Sequence, residues 1–249
     1  MKYSLMLYNI RYGTGRGWKF HAPFPFSGFF RRTRHNIGKI STFINEVNPD
    51  IVGLIEVDGG SYRHYGENQA ECVAKKLGYK FNYNSKYRQG SRTGMIPLMT
   101  NQGNSFLTKQ KIKSTKLHYF DKGVKRLVVE LELEDVVIFL VHLSLFYKNR
   151  QRQLASLLKI VETASKPVIV AGDFNMFRGE GEIKEFLDLS GLKNMNTKKQ
   201  LTYPSKKPAK QLDFMLHSPQ IKVNFFKVCK EALFSDHLPL CCEFEVNYS

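Results

Sequence analysis

Short apolar runs that end abruptly in a polar residue alternate along this chain with segments whose apolar positions recur every three or four residues. Runs of the first kind read as buried strand and the second as amphipathic helix. KYSLMLYNI is a strand ending at Asn9, and DIVGLIE a buried strand ending at Glu56. Between them Ile37, Ile40, Ile44 and Val47 recur at helical spacing, with Thr33 as a candidate N-cap and Pro49 limiting the helix. NQAECVAKKLG predicts a short helix closed by Gly78. RLVVELELEDVVIFLVHLSL divides at Glu134 and Asp135 into an alternating strand and a continuously apolar one that ends at His142. Leu154, Leu157, Leu158 and Val161 mark a helix that leads into KPVIVAGDFNMF; LDFMLHS and LPLCCEFEV are later strands, and YPSKKPAK is a loop. With no internal repeat and no low-complexity tract, residues 1–249 are expected to form a single α/β domain.

The polar residues at the ends or starts of these runs are the kind that hold metals and phosphates: Asn9, Glu56, His142, Asp173 with Asn175, Asp213, and Asp236 with His237. Strand ends that converge on one sheet edge would place them in one cleft. Each also has a plainer reading. Glu56 is then the first solvated residue beyond a strand, Asp173 and Asn175 form an Asx turn, and His142 is structural. Asp213, inside the apolar run QLDFML, must face water or be paired. In SDHLPL a hard-cation ligand, Asp236, stands beside an imidazole, His237. A hydrogen bond from one ring nitrogen of His237 to Asp213 would aim the other. Alternation along an extended chain would put Asp173 and Asn175 on one side, able to hold one water between them.

Taken in order, YNIR, DIVGLIE, QGNSFLTK, VHLSL, AGDFN, QLDFMLHS and SDHLPL resemble the motifs of the endonuclease/exonuclease/phosphatase superfamily, nearly end to end from Asn9 to His237. The resemblance implies a deoxyribonuclease I-like α/β (α+β) fold: a four-layer sandwich of two packed mixed β-sheets flanked by helices. It also implies a divalent cation in a cleft at one end, Mg²⁺ first and Mn²⁺ second. By the same resemblance Glu56 is the principal metal ligand, assisted by Asn9 and Asp236. Asp173 positions or deprotonates the attacking water, and Asn175 steadies that water or the phosphate. His237, paired with Asp213, contacts the scissile phosphate, and His142 is a second phosphate-facing donor or acid. Asn9, Arg11 and Asn104 border the substrate. A hard Mg²⁺ prefers carboxylate oxygens and retained waters, which suits Glu56 and Asp236. Within the superfamily, the abasic-site endonucleases carry an acidic residue two positions after the first Asn and no histidine in the VHLSL position. With Arg11 and His142 this chain resembles instead the deoxyribonuclease I, sphingomyelinase and inositol-phosphatase side.

Charge bears on the substrate. Lys+Arg 38 against Asp+Glu 22 gives a net charge of +16, a field that attracts polyanions or anionic membrane surfaces. The expected activity is hydrolysis of a phosphodiester by in-line water attack, with nucleic acid, DNA or RNA, as the partner. A phospholipid or inositol-phosphate phosphoesterase at a membrane surface is the alternative, and a catalytically idle binding protein the third reading. From Gly13 to Asn36, Trp18, Phe20, Phe24, Phe26, Phe29 and Phe30 are interleaved with Arg16, Lys19, Arg31, Arg32 and Arg34. This stretch would stack on bases, enter a membrane interface, or fold back over the core with its arginines solvated. A second basic run, Lys198 to Lys210, would flank the cleft or be a solvated loop. The first residues lack the apolar core and cleavage site of a signal peptide, so a cytoplasmic monomer is expected. Cys72, Cys229, Cys241 and Cys242 show no paired spacing and read as reduced, mostly buried thiols, with Cys241 and Cys242 on opposite faces of a strand.

Overall fold

Two six-stranded sheets pack face to face in a computed structural model that describes residues 1–16, 27–85, 101–121 and 125–247. In the first sheet β1 (Lys2–Asn9) pairs in parallel with β2 (Ile51–Asp58), which pairs antiparallel with β4 (Gln102–Thr108) and through it with β3 (Lys80–Ser85). On the other side β1 pairs antiparallel with β12 (Leu240–Val246), which carries β11 (Ile221–Val228) at the edge. The second sheet runs β5 (Ser114–Tyr119), β6 (Leu127–Glu132), β7 (Val137–His142), β8 (Val168–Asp173), β10 (Asp213–His217), β9 (Lys193–Asn194), with β7 and β8 parallel and the rest antiparallel. Both sheets are therefore mixed.

The period-2 pattern of the strands sorts their side chains into separate layers. Leu5, Leu7, Ile55, Val129, Leu131, Ile138, Leu140, Ile169 and Met215 face inward and form the core between the sheets. On the outer face of the first sheet, Met6, Tyr8, Val52 and Leu54 meet α1 (Arg34–Val47) and α2 (Gln69–Leu77) through Ile37, Ile40, Ile44 and Val73. On the outer face of the second, Val128, Phe139, Val141 and Val170 meet α3 (Tyr147–Glu162) and α4 (Lys184–Ser190) through Leu154, Leu157, Val161 and Phe186. The result is the four-layer, deoxyribonuclease I-like sandwich that the sequence motifs imply. Cys241 joins the outer layer and Cys242 the inter-sheet core, on opposite faces as expected. Among the described residues no helix is long and apolar enough to cross a membrane.

Several local expectations change. Thr33 occupies the N-cap position of α1 but makes no side-chain cap; its hydroxyl lies 3.3 Å from the Arg63 carbonyl and 3.1 Å from His64 Nδ1. The strand through Glu56 does not end there. It continues to Asp58, and Glu56 itself sits in a bulge at φ 58°, where the pairing of β2 with β4 slips between Leu54 and Val57. A bulge of this kind re-aims one side chain while the strand goes on. Of the aromatic and basic stretch, Trp18, Lys19, Phe20, Phe24 and Phe26 lie outside the described residues, as does the Phe29 side chain. Phe30 is exposed.

Candidate active site

The topology brings one end of each sheet to a common edge. β1, β2, β7 and β8 all deliver their C-terminal ends there, and the antiparallel β10 and β12 begin there. His142 pairs in register with Asp173, and Asp173 with Asp213, so three ionisable side chains stand side by side on adjacent strands. Gly172 makes this packing feasible: a Cβ built there would stand 2.1 Å from the Val141 carbonyl oxygen. The glycine before Asp173 thus serves the close approach of β7 and β8, and the strand runs through it.

Asp173 is the hub. Its Oδ2 accepts a hydrogen bond from Asn9 Nδ2 at 3.0 Å, across the gap between the two sheets, and lies 3.3 Å from His142 Nε2 and 3.9 Å from His237 Nε2. Its Oδ1 accepts from the backbone N–H of Asn175 at 3.0 Å. The turn is possible because Asn175 adopts a left-handed φ of 54°, a conformation that Asn tolerates well. This corrects the picture of Asp173 and Asn175 alternating on an extended chain. The strand stops at Asp173, the local Asx turn is present, and Asn175 Nδ2 donates to the Leu143 carbonyl at 2.9 Å, which fixes the β7–α3 connection to the site.

On the opposite side of the hub, His237 Nδ1 is 2.8 Å from Asp213 Oδ2 and both side chains are buried. The hydroxyl of Thr202 accepts from the backbone N–H groups of Leu212 and Asp213, at 3.1 and 3.3 Å, and holds the start of β10 in place. Asp213 Oδ1 is buried without a hydrogen-bond partner among the described residues. The Tyr203 ring covers His237, centroid to centroid 4.9 Å. Burial by itself would lower the His237 pKa, but the carboxylates of Asp213 and Asp173 outweigh it and raise the value to about 10. Burial likewise works to raise Asp173, yet the His237 charge and a hydrogen bond from His142 hold it well below the usual carboxylate range. Asp213 goes the other way, raised by burial and aided by the charge of Asp173.

The remaining predicted residues form a second group beside this one. Arg11 Nη1 lies 3.3 Å from Asp236 Oδ2, and the Arg11 backbone N–H donates to Asn9 Oδ1 at 3.1 Å. Glu56 Oε1 is 3.8 Å from His142 Nε2, and its backbone N–H reaches Asn104 Oδ1 at 3.4 Å. Asn104 is buried beneath the bulge, so it supports the Glu56 backbone in this structure. Burial raises the Asp236 carboxyl, and the charge of Glu56 adds to the effect. All ten sequence-predicted residues thus fall at or immediately behind one edge.

Two residues here escaped the sequence reading. Lys125 Nζ contacts His142 Nε2 and lies 3.7 Å from Glu56 Oε1, supplying positive charge at the junction of both groups. No motif surrounds it; only its position just before β6 could have marked it. Tyr203 was read as part of a loop, although its ring packs at a tilt against His237 and the loop it opens is anchored by Ser205 N–H donating to the Asp236 carbonyl at 2.7 Å. The basic run Lys198 to Lys210 therefore flanks the site.

Two donor sets stand ready for a cation. Asp173, Asp213 and His237 offer ligand atoms within 4.8 Å of one another, but both ring nitrogens of that imidazole are turned to carboxylates. Glu56, Asp236 and Asn9 Oδ1 offer oxygen alone, with Arg11 Nη1 3.3 Å from Asp236 Oδ2 and Lys125 Nζ 3.7 Å from Glu56 Oε1. Asp236, its carboxyl raised by burial beside the Glu56 carboxylate, is chemistry that suits a hard divalent ion.

The chain matches the model of the Endonuclease/Exonuclease/phosphatase family over residues 6–237. It belongs to that family, whose members are divalent-metal-dependent hydrolytic phosphoesterases. Solved structures of the same fold include an endonuclease/exonuclease/phosphatase family protein from Bacteroides thetaiotaomicron, with TM-score 0.75, 15% identity, and 100% of this chain and 99% of that one covered. The human Nocturnin catalytic domain with bound sulfate anion has TM-score 0.69 and 19% identity, with 99% and 94% covered. Humanized D. rerio TDP2 has TM-score 0.69 and 15% identity, with 98% and 99% covered. At such identities these likenesses concern the fold. No sequence among the curated proteins matches the chain.

Proposed function

We propose that this family member hydrolyses a phosphodiester of DNA or RNA by in-line attack of water, with Asp173 as the general base. The observation that carries the reading is the hub itself: one buried carboxylate, kept ionised by two imidazoles and tied across both sheets by Asn9. A base must be deprotonated and within reach of water, and Asp173 meets the first condition by its surroundings. Bound at Glu56, Asp236 and Asn9, a Mg²⁺ ion would neutralise phosphate oxygens and lower the barrier to attack. The chain's own residues do the rest. His237, held in one orientation by Asp213, presents a proton to a phosphate oxygen through Nε2. Arg11 and Lys125 surround the same space with positive charge, which favours a phosphate whose negative charge grows in the transition state, and His142 adds a ring nitrogen that can hydrogen-bond to it.

Nucleic acid is favoured by a chain of rings and cations leading out from His237. Tyr203 packs at a tilt against it, Phe177 meets Tyr203 edge-on at 6.5 Å, and Arg178 lies 4.2 Å over the Tyr147 ring. Aromatic faces interleaved with guanidinium groups suit bases and their phosphates, as does the net charge of +16. A phospholipid or inositol-phosphate substrate is the second reading. The exposed pair Leu145 and Phe146 favours it, because this pair follows His142 closely in a connection fixed to the site. Mg²⁺-dependent turnover of single-stranded and plasmid DNA, RNA, phosphoinositides and sphingomyelin, measured side by side, tests the choice. Cleavage of nucleic acid with inert lipids is expected; lipid turnover with inert nucleic acid would move the assignment to the second reading.

A further inference from the structure

Away from the site, two thiols meet in the layer between the first sheet and its helices. Cys229 follows directly on β11 and Cys241 lies in β12, and their Sγ atoms are 3.0 Å apart. The contact follows from the hairpin register: Val228 pairs with Leu240, Lys227 with Cys241, and the Cys229 N–H donates to the Pro239 carbonyl at 2.9 Å. Cys242, next in sequence, points into the other layer and takes no part. A disulfide needs a separation of about 2.05 Å, so closing the gap takes roughly 1 Å of sulfur movement.

We propose that Cys229 and Cys241 form a modification site, a buried dithiol that hydrogen peroxide converts into an intrachain disulfide. Cys229 is fully buried and Cys241 nearly so, which excludes a bulky disulfide such as glutathione and leaves a small oxidant, hydrogen peroxide, as the reagent. Cys229 is the attacking group. The hydrogen bond from Cys241 lowers its pKa and Lys227 adds a nearby positive charge, both of which favour the thiolate. The Cys229 thiolate attacks one peroxide oxygen, the O–O bond breaks, and the products are a sulfenic acid and hydroxide. The Cys241 sulfur then attacks that sulfenic sulfur, forming the S–S bond. The hydroxyl leaves as water with the Cys241 proton, so two thiols and one peroxide give one disulfide and two waters.

The cross-link would close the base of a segment that matters. Residues 229–241 carry Asp236 and His237, and the contacts that tie them down are non-covalent, among them Tyr8 to the Ala232 carbonyl at 3.3 Å, Asn36 to the Phe234 carbonyl at 2.9 Å and Ser205 N–H to the Asp236 carbonyl at 2.7 Å. A covalent bond across that base limits how far the segment can open in the unfolded chain and so raises the thermal midpoint.

The test treats the full folded chain with hydrogen peroxide, alkylates the remaining thiols after unfolding, and maps the peptides by mass spectrometry. The expected result is loss of two hydrogen atoms, two fewer alkylated cysteines, a Cys229–Cys241 linked peptide, and a raised thermal midpoint that dithiothreitol reverses. Cys72→Ser should leave all of these unchanged, and Cys241→Ser should leave Cys229 oxidised to an oxygen-bearing acid with no link. Absence of the linked peptide in the folded protein, or a link through Cys72 or Cys242 in its place, overturns the proposal. None of these readouts depends on hydrolysis, so they stand or fall apart from the proposed reaction.

Discussion

His237 Nδ1 stands 2.8 Å from Asp213 Oδ2, with both side chains buried and the ring's other nitrogen turned toward Asp173. This pairing makes His237 an imidazolium at neutral pH, with a pKa raised to about 10. Asp213→Asn keeps the shape and removes the charge. In the metal-free protein, the His237 resonance followed by NMR should titrate near pH 10 in the wild type and well below that in the variant. Hydrolysis by the variant should fall by about 10²-fold or more. An unmoved titration would remove Asp213 from control of His237.

The same shift makes stability depend on pH, with a definite sign. A histidine whose folded pKa is raised contributes stability that is complete below its ordinary value of 6.5 and is lost as pH rises through about 10. The thermal midpoint of the metal-free protein should therefore decline between pH 6.5 and 10. In Asp213→Asn most of that decline should vanish. A decline of equal size in both proteins would place its origin elsewhere.

Glu56 and Asn104 separate a ligand from its support. Glu56→Gln should raise the Mg²⁺ concentration needed for half-maximal turnover by tenfold or more. Asn104→Ala, which removes only the acceptor of the Glu56 backbone N–H, should raise it less, on the order of a few fold, in keeping with the effects of supporting contacts on metal affinity. An unchanged metal titration in Glu56→Gln would reassign the ligand.

Buried ion pairs brace the connections to this edge. Asp58, at the end of β2, accepts from Arg63 Nε at 2.8 Å through Oδ2, which also lies 2.7 Å from Nη2 as an ion pair; both side chains are fully buried, and the Arg63 guanidinium lies 4.9 Å over the Tyr12 ring. Asp58→Asn leaves that guanidinium without its counter-charge and should cost about 3–5 kcal/mol of stability in chemical denaturation. A loss under about 1 kcal/mol would mean that Tyr12 and water compensate the charge.

The strands that the sequence disclosed are those buried on both faces, and the ones it hid are mostly at the edges. β1, β2, β7, β8 and β12 carry unbroken or alternating apolar runs because they lie inside the sheets. β3, β5, β9 and β11 are the four outer strands, where KFNYNS and STKLHY show too few buried positions to mark a period. β4 is the exception: it is buried throughout, yet its Gln102, Asn104 and Ser105 satisfy polar partners and mask the pattern. At the site, residues ending apolar runs were legible because a carboxylate or imidazole there conflicts with its neighbours. Lys125 was not, since a lysine before a strand conflicts with nothing. The left-handed bulge at Glu56 was hidden for another reason, since it depends on a partner distant in sequence, Asn104, whereas the Asx turn of Asp173 and Asn175 was one of two readings that the local sequence offered. The meeting of Cys229 and Cys241 likewise required the β11–β12 register, half of which the sequence concealed.

The most direct test of the central claim uses a simple phosphodiester, bis(4-nitrophenyl) phosphate, alongside single-stranded DNA. Both should be hydrolysed in Mg²⁺ and not in excess EDTA. Asp173→Asn, which retains the shape of the hub, should lower turnover of both by about 10²–10⁴-fold while the fold is unchanged by circular dichroism. Near-normal turnover in Asp173→Asn, or hydrolysis indifferent to EDTA, would contradict the account.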